Sequence, residues 1–166
     1  YWGSAVQDIV ISHDGSYVAA YASNNYAKMF NRSSSAPIWI ITGTIDSMDI
    51  SADGQYIAIG TQTSDSYPAV RLYHRESTTP LWEYQTNNQY TYHVVRAIEI
   101  SRDGNYVSAI DSESGCCRSG RLYVFDKVGK DIFSQSLYDA EGDHISVSIS
   151  DNGSHVVTAD RSYTRL

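Results

Sequence analysis

The sequence predicts an all-β chain: a β-propeller of four-stranded antiparallel blades, three of them complete and two partial. Three observations lead there. A hairpin motif recurs four times, with turn serines at Ser12, Ser51, Ser101 and Ser150, spaced by 39, 50 and 49 residues. An aromatic landmark recurs between the hairpins. Helical periodicity of apolar residues is convincing nowhere along the chain.

The first strand of each unit alternates apolar with smaller or polar residues, as in Ile9/Ile11, Met48/Ile50, Ile98/Ile100 and Val147/Ile149, a period of two. The pairs Asp14-Gly15, Asp53-Gly54, Asp103-Gly104 and Asn152-Gly153 then make a tight turn, since Gly and Asn tolerate positive φ. A second strand follows over 17–22, 56–60, 106–110 and 155–159. A third covers 27–31, 70–74 and 121–125. The fourth carries Trp39, Trp82 or Phe133. Met29-Phe30 lies eight residues ahead of Pro37-Ile38-Trp39, and Leu72-Tyr73 eight ahead of Pro80-Leu81-Trp82; Leu122-Tyr123 with Ile132-Phe133 is a looser copy.

Tandem four-stranded units of this length are expected of propeller blades. One sheet cannot bury two apolar faces alone, whereas stacked sheets bury each other's. A sandwich of hairpins would not need the same turn and the same aromatic in every unit. The units run approximately over 5–42, 45–86, 94–137 and 144–166, the last partial. Trp2 falls where a fourth-strand Trp belongs, so 1–2 read as the end of a preceding blade. Tyr163-Thr164-Arg165-Leu166 matches Ala69-Val70-Arg71-Leu72, so the chain reads as stopping inside a third strand. The expectation is a single propeller domain or a fragment of one with roughly six to eight blades. A four-bladed ring, or an oligomer that completes the ring, is the alternative.

Composition narrows the function. The chain has 166 residues, 12 Lys+Arg against 19 Asp+Glu, and a net charge of -7. A nucleic-acid binder needs a basic stripe to displace counterions, and this balance argues against one. The apolar fraction of 42% suffices for a packed core. No apolar run is long enough for a transmembrane helix in this stretch. Tyr is plentiful at 14, while lysines are confined to Lys28, Lys127 and Lys130.

The Ile-Ser-x-Asp-Gly-x-Tyr-Ile/Val hairpin, followed by Leu-Tyr and Pro-Leu-Trp, resembles the WD-repeat-like and pyrroloquinoline-quinone-enzyme-like propeller repeats of prokaryotic, often archaeal, proteins. The likeness spans essentially the whole chain. It implies architecture more than function, because propellers host ligand binding, protein docking and catalysis alike. The Trp-Asp and Gly-His landmarks of true WD repeats are absent. The Thr-Gly-Lys-x-x-Trp motif of quinoprotein blades survives only as Val128-Gly129-Lys130-Asp131-Ile132-Phe133.

The turns joining first to second strands are uniformly short and read as structural. Length varies at the opposite end, in the loops 61–68, 111–120, 86–93 and 138–143. Variable loops on a rigid scaffold are where binding resides. Tyr67, Tyr90, Tyr92, His93, Tyr138, Asp111 and Glu113 are the candidate partner-binding residues there, since Tyr supplies amphipathic contact area at low entropic cost. The competing reading is that these tyrosines merely cover the loops.

Cys116-Cys117 is the most unusual pair. Adjacent cysteines form a strained vicinal disulfide, and the quinoprotein resemblance implies such a ring packed on the cofactor. A purely structural disulfide and free thiols remain open, and a persistent disulfide needs an oxidising compartment. Asp14, Asp53 and Asp103 read as turn acceptors beside Gly15, Gly54 and Gly104, with Asn152 and Gly153 as the fourth copy. A metal-binding carboxylate ring is the sharper alternative. The acidic loop 111–115 is a candidate calcium ligand set that lacks the twelve-residue loop pattern. The histidines are scattered, and no nucleophile elbow, phosphate loop or His-Glu-x-x-His motif occurs. Asn31-Arg32-Ser33 and Asn152-Gly153-Ser154 are N-glycosylation sequons.

These readings converge on a non-enzymatic, secreted or cell-surface scaffold docking a protein or glycan partner, within a larger assembly or alone. No cofactor is expected. The alternatives are part of a quinoprotein-like oxidoreductase, holding pyrroloquinoline quinone or calcium near Cys116-Cys117, and a cytoplasmic WD-repeat-type scaffold.

Overall fold

The computed structural model describes residues 3–62, 67–86, 93–113, 119–138, 146–159 and 164–165. Fifteen strands occur among them. β1 (Val6–Ile11), β2 (Tyr17–Ala22), β3 (Tyr26–Asn31) and β4 (Pro37–Thr42) form one antiparallel sheet in chain order. β5 (Thr44–Ile50), β6 (Tyr56–Gln62), β7 (Pro68–His74) and β8 (Pro80–Gln85) form the second. β9 (His93–Ile100), β10 (Tyr106–Glu113), β11 (Ser119–Asp126) and β12 (Asp131–Tyr138) form the third. β13 (Ser146–Ile149), β14 (Val156–Ala159) and β15 (Thr164–Arg165) make a three-stranded fourth sheet. The chain is all-β, and no closed barrel or ring forms among the described residues.

The hairpins follow from local chemistry. Ser51 Oγ donates to Asp53 Oδ1 at 2.7 Å and accepts the Tyr56 amide at 3.0 Å, while Asp53 Oδ1 also accepts the Gln55 amide at 2.9 Å. The Gly54 amide closes the turn onto the Ser51 carbonyl, and its φ of 65° is the left-handed conformation that glycine adopts without steric cost. The same bonds recur around Ser12, Ser101 and Ser150, with Asn152 Oδ1 taking the carboxylate's place in the last.

Burial then stacks the sheets face to face. Ala19, Met29, Trp39 and Ile41 of the first sheet pack on Ile45, Met48, Ile57 and Ile59 of the second. Val70 and Leu72 of the second pack on Val95, Ile98, Val107 and Phe125 of the third. Ile110, Leu122 and Leu137 of the third meet Val147 of the fourth. At each junction a second-strand tyrosine seats on the next sheet's turn glycine: Tyr17 on Gly54, Tyr56 on Gly104, Tyr106 on Gly153. A side chain of the next sheet covers two of these rings, Arg75 lying 4.5 Å over Tyr17 and Lys127 4.1 Å over Tyr56. Backbone bonds tie neighbouring turns together, from His13 N to Ala52 O, Ala52 N to Arg102 O and Asp103 N to Asp151 O.

The first strand of each sheet has one edge without a ladder partner, and side chains of the preceding sheet bond to it in the second, third and fourth sheets. Asp49 Oδ2 accepts the Ile100 amide at 2.8 Å and Glu99 Oε2 the Ile149 amide at 2.9 Å. Ser47 Oγ donates to Val95 O, and Tyr21 OH to Asp46 O, both at 2.8 Å. At the far edge, β4, β8 and β12 each carry a bulge at Ile38, Leu81 and Ile132. Bulges and edge prolines blunt strand-to-strand pairing.

Apolar side chains stay open at two places, the outer face of the first sheet and the junction of the third sheet with the fourth. Ile9 and Ile11 are 62% and 60% exposed, whereas their counterparts Met48 and Ile50 are 4% and 7% exposed. Phe133 is 49% exposed where Trp39 is 5%. Phe133, Leu122, Leu137 and Val156 line an apolar groove of about 340 Å³.

Candidate functional site

A second irregularity repeats in the first strands. The ladder slips between Val6 and Asp8, between Ile45 and Ser47, and between Val95 and Ala97, so that Gln7, Asp46 and Arg96 are unpaired bulge residues. Each sits five positions ahead of its turn serine. A bulge re-aims the side chain it carries. Here all three side chains line one cavity of about 320 Å³, which Asp8, Tyr21, Ser47 and Glu99 also border. The residues after the second and third bulges, Ser47 and Ala97, are small and leave room for it.

The turn sequence is nearly invariant among the repeats, yet the bulge residues are an amide, an acid and a base. Arg96 is exposed and, among the described residues, neither hydrogen-bonded nor ion-paired. Asp46 Oδ2 is shut off from solvent and receives no hydrogen bond among the described residues. Burial pushes the Asp46 carboxyl up, and the charge of Arg96 only partly restrains that rise. Tyr21 is pushed up to about 12 by burial, with the charges of Asp8 and Asp46 adding to it. Asp49, on the same strand as Asp46, is raised to about 6, chiefly by burial and against the hydrogen bonds from Ile100 and Ile50.

The residues expected to bind a partner are only partly brought together. Tyr67 stands just before β7 and is 47% exposed. His93 opens β9 directly opposite Glu113, which closes β10, and Tyr138 closes β12 opposite Ser119. All four positions lie at the end of the sheets away from the Ser-x-Asp-Gly turns, the end at which Gln7, Asp46 and Arg96 also sit. Asp111 is placed differently from its expected loop: β10 runs on to Glu113, so Asp111 lies inside the ladder between Val95 and Arg121, fully buried, with Tyr123 OH donating to its Oδ2 at 3.5 Å. Tyr90, Tyr92, Cys116 and Cys117 lie outside the described residues.

The turn acceptors Asp14, Asp53, Asp103 and Asn152 spend their oxygens on their own turns. Hydrogen bonds from the Ser16 hydroxyl, the Ser16 amide and Ser12 lower Asp14 to about 2. Burial works to raise Asp103, but the bonds from Ser101 and Asn105 outweigh it and hold the carboxyl low. No three His, Cys, Asp or Glu side chains among the described residues are placed to hold a metal ion. Asn31 Oδ1 accepts both the amide and the hydroxyl of Ser33, at 2.9 and 2.7 Å, so that sequon is folded as an Asx turn. Asn152 is exposed in its turn. No described helix is long and apolar enough to cross a membrane.

The bulge residues escaped the reading of the sequence, although a signal was there. The buried apolar positions fall one, three and six residues before the turn serine, as at Ile50, Met48 and Ile45, or Ile100, Ile98 and Val95. A step of three in a period of two marks an inserted residue. Neither a family model nor a curated protein sequence matches the chain.

Proposed function

We propose that the sheets are blades of a β-propeller and that the chain is a non-enzymatic scaffold, secreted or at the cell surface, docking a protein or glycan partner at the end where the first strands begin. The repeated interlock between successive sheets, with the first strands of neighbouring sheets in contact, supports the propeller. So does the open apolar face at Ile9/Ile11, which a preceding sheet of the same register covers as the first sheet covers Met48 and Ile50. The exterior setting is supported by two sequons in turns, Asn31 and Asn152.

One observation carries the docking reading: the repeats agree at one end and diverge at the other. At the turn end the same hydrogen bonds recur in every sheet. At the opposite end equivalent positions hold Gln7, Asp46 and Arg96, and exposed Tyr67 stands at that same end, just before β7. Divergence at matching positions is what a recognition surface requires of a repeat scaffold.

The test is binding to a glycan array and a displayed peptide library. The double variant Tyr67→Ala/Arg96→Ala loses the recovered partner, while His13→Ala/Gln55→Ala at the turn end keeps it. Equal retention by both overturns the assignment of the face, and a chain that recovers nothing overturns docking. Electron microscopy of the natural full-length protein tests the architecture, a ring of radially arranged sheets being the expected image. Intact mass before and after deglycosylation, for wild type and Asn31→Gln, tests the exterior setting.

A further inference from the structure

We propose that the cavity between the first-strand bulges is a binding site for a small zwitterion, its ammonium or guanidinium group against Asp46 and its carboxylate against Arg96. The inference concerns a small ligand and does not depend on the docking reading.

The argument begins with what the neighbouring polar groups do. Ser47, Tyr21, Asp49 and Glu99 each bind backbone groups across a sheet junction, so each has a structural task. Among the described residues the side chains of Asp46 and Arg96 have none. They come from equivalent bulges on adjacent sheets, close enough for the guanidinium to act on the carboxyl, yet they form no ion pair with one another. Two opposite charges placed for structure alone would close into a salt bridge, because an unpaired, partly buried carboxylate is costly. Held apart on a cavity wall, they match a ligand that carries the complementary pair.

Size and charge narrow the ligand. A cavity of about 320 Å³ lies at the small end of ligand sites and fits a molecule of amino-acid size. Asp8 and Glu99 join Asp46 on the wall against Arg96, the one cation among the described lining residues, so a bare anion is repelled and the cationic half of the ligand is held more strongly. Gln7, from the third bulge, adds an amide that donates and accepts.

The test titrates the 166-residue chain with a series of ω-amino acids from glycine to 6-aminohexanoate, and with n-butylamine and butyrate as single-charge probes, following backbone amides by NMR. At least one ω-amino acid gives saturable shifts centred on Gln7, Asp46 and Arg96, and binds at least about tenfold more tightly than either single-charge probe. Asp46→Asn and Arg96→Gln each weaken it by about tenfold or more, while Gln55→Ala at the far end leaves it unchanged. The same spectra report whether each variant is folded. Equal affinity for n-butylamine overturns the paired site in favour of a cation site. Absence of saturation by about 50 mM, or indifference to both substitutions, overturns it outright.

Discussion

The ring of Tyr56 lies so close to Gly104 of the following sheet that a Cβ on that glycine would come within 2.8 Å of the tyrosine Cδ2. The glycine is also left-handed, with φ of 72°. Two separate penalties therefore meet at one residue, and they can be separated. Gly104→Ala combines backbone strain with overpacking and is expected to cost about 2–4 kcal/mol. Gly15→Ala has the same backbone strain, but the nearest atom to its Cβ is Ile11 Cδ1 at 3.9 Å. It is expected to cost about 1–2 kcal/mol. Urea denaturation of the two variants measures the difference, and equal losses would remove the tyrosine seat from the account of how sheets join.

The two tryptophans at matching positions behave differently. Trp82 Nε1 donates to Lys127 O at 3.0 Å, across the junction to the third sheet, whereas Trp39 Nε1 is buried without an acceptor among the described residues. Trp82→Phe is expected to cost about 1 kcal/mol more than Trp39→Phe, since only the former breaks a hydrogen bond. Trp82→Ala is expected to cost about 3–5 kcal/mol, and a loss under about 1 kcal/mol would count against packing of β8 between sheets.

Ser51 is fully buried and holds Asp53 and the Tyr56 amide at once. Ser51→Ala leaves that amide without its side-chain acceptor and costs about 1–3 kcal/mol. Ser51→Thr keeps the hydroxyl, so thermal melts of both variants separate the lost bond from crowding by the added methyl.

Stability should pass through a maximum near pH 4. Asp14 and Asp103 are held below the ordinary value of 3.8, so their stabilisation is present above it and is lost as pH falls, for Asp14 through about 2. Asp49 runs the other way. Its carboxyl is raised to about 6 by burial, so its favourable protonated state is present below 3.8 and the advantage is lost as pH rises to 6. Asp49→Asn keeps an acceptor for one amide and cannot titrate. Denaturation between pH 4 and 6 should show the wild type losing stability more steeply than the variant, which keeps only the slope of the raised Asp46; parallel curves would assign the whole slope to other groups.

What the sequence made legible is what local chemistry determines. Ser51, Asp53 and Gly54 close their turn with bonds between residues at most five apart, so the motif alone announces the hairpin. The strand ends were less legible. Asp111 and Ser112 are polar and read as loop, but β10 continues through them, and both are fully buried. Tyr123, reaching Asp111 from the adjoining strand, is a contact that no local pattern encodes. The cavity was missed for a related reason: Gln7, Asp46 and Arg96 differ in type, and a search for repeated residues passes over positions where repeats diverge.

The grip between sheets has a direction. Asp49 reaches forward to Ile100, Glu99 forward to Ile149, and Tyr17, Tyr56 and Tyr106 each seat on a glycine that comes later in the chain. Each sheet thus presents a finished mould to the one synthesised after it. On a ribosome, where the N-terminal end emerges first, a newly exposed strand finds its carboxylate acceptor and its aromatic seat already in place. Assembly along this chain is therefore expected to run from the first sheet towards the fourth, with Arg75 and Lys127 closing back over Tyr17 and Tyr56 once the later sheet has docked.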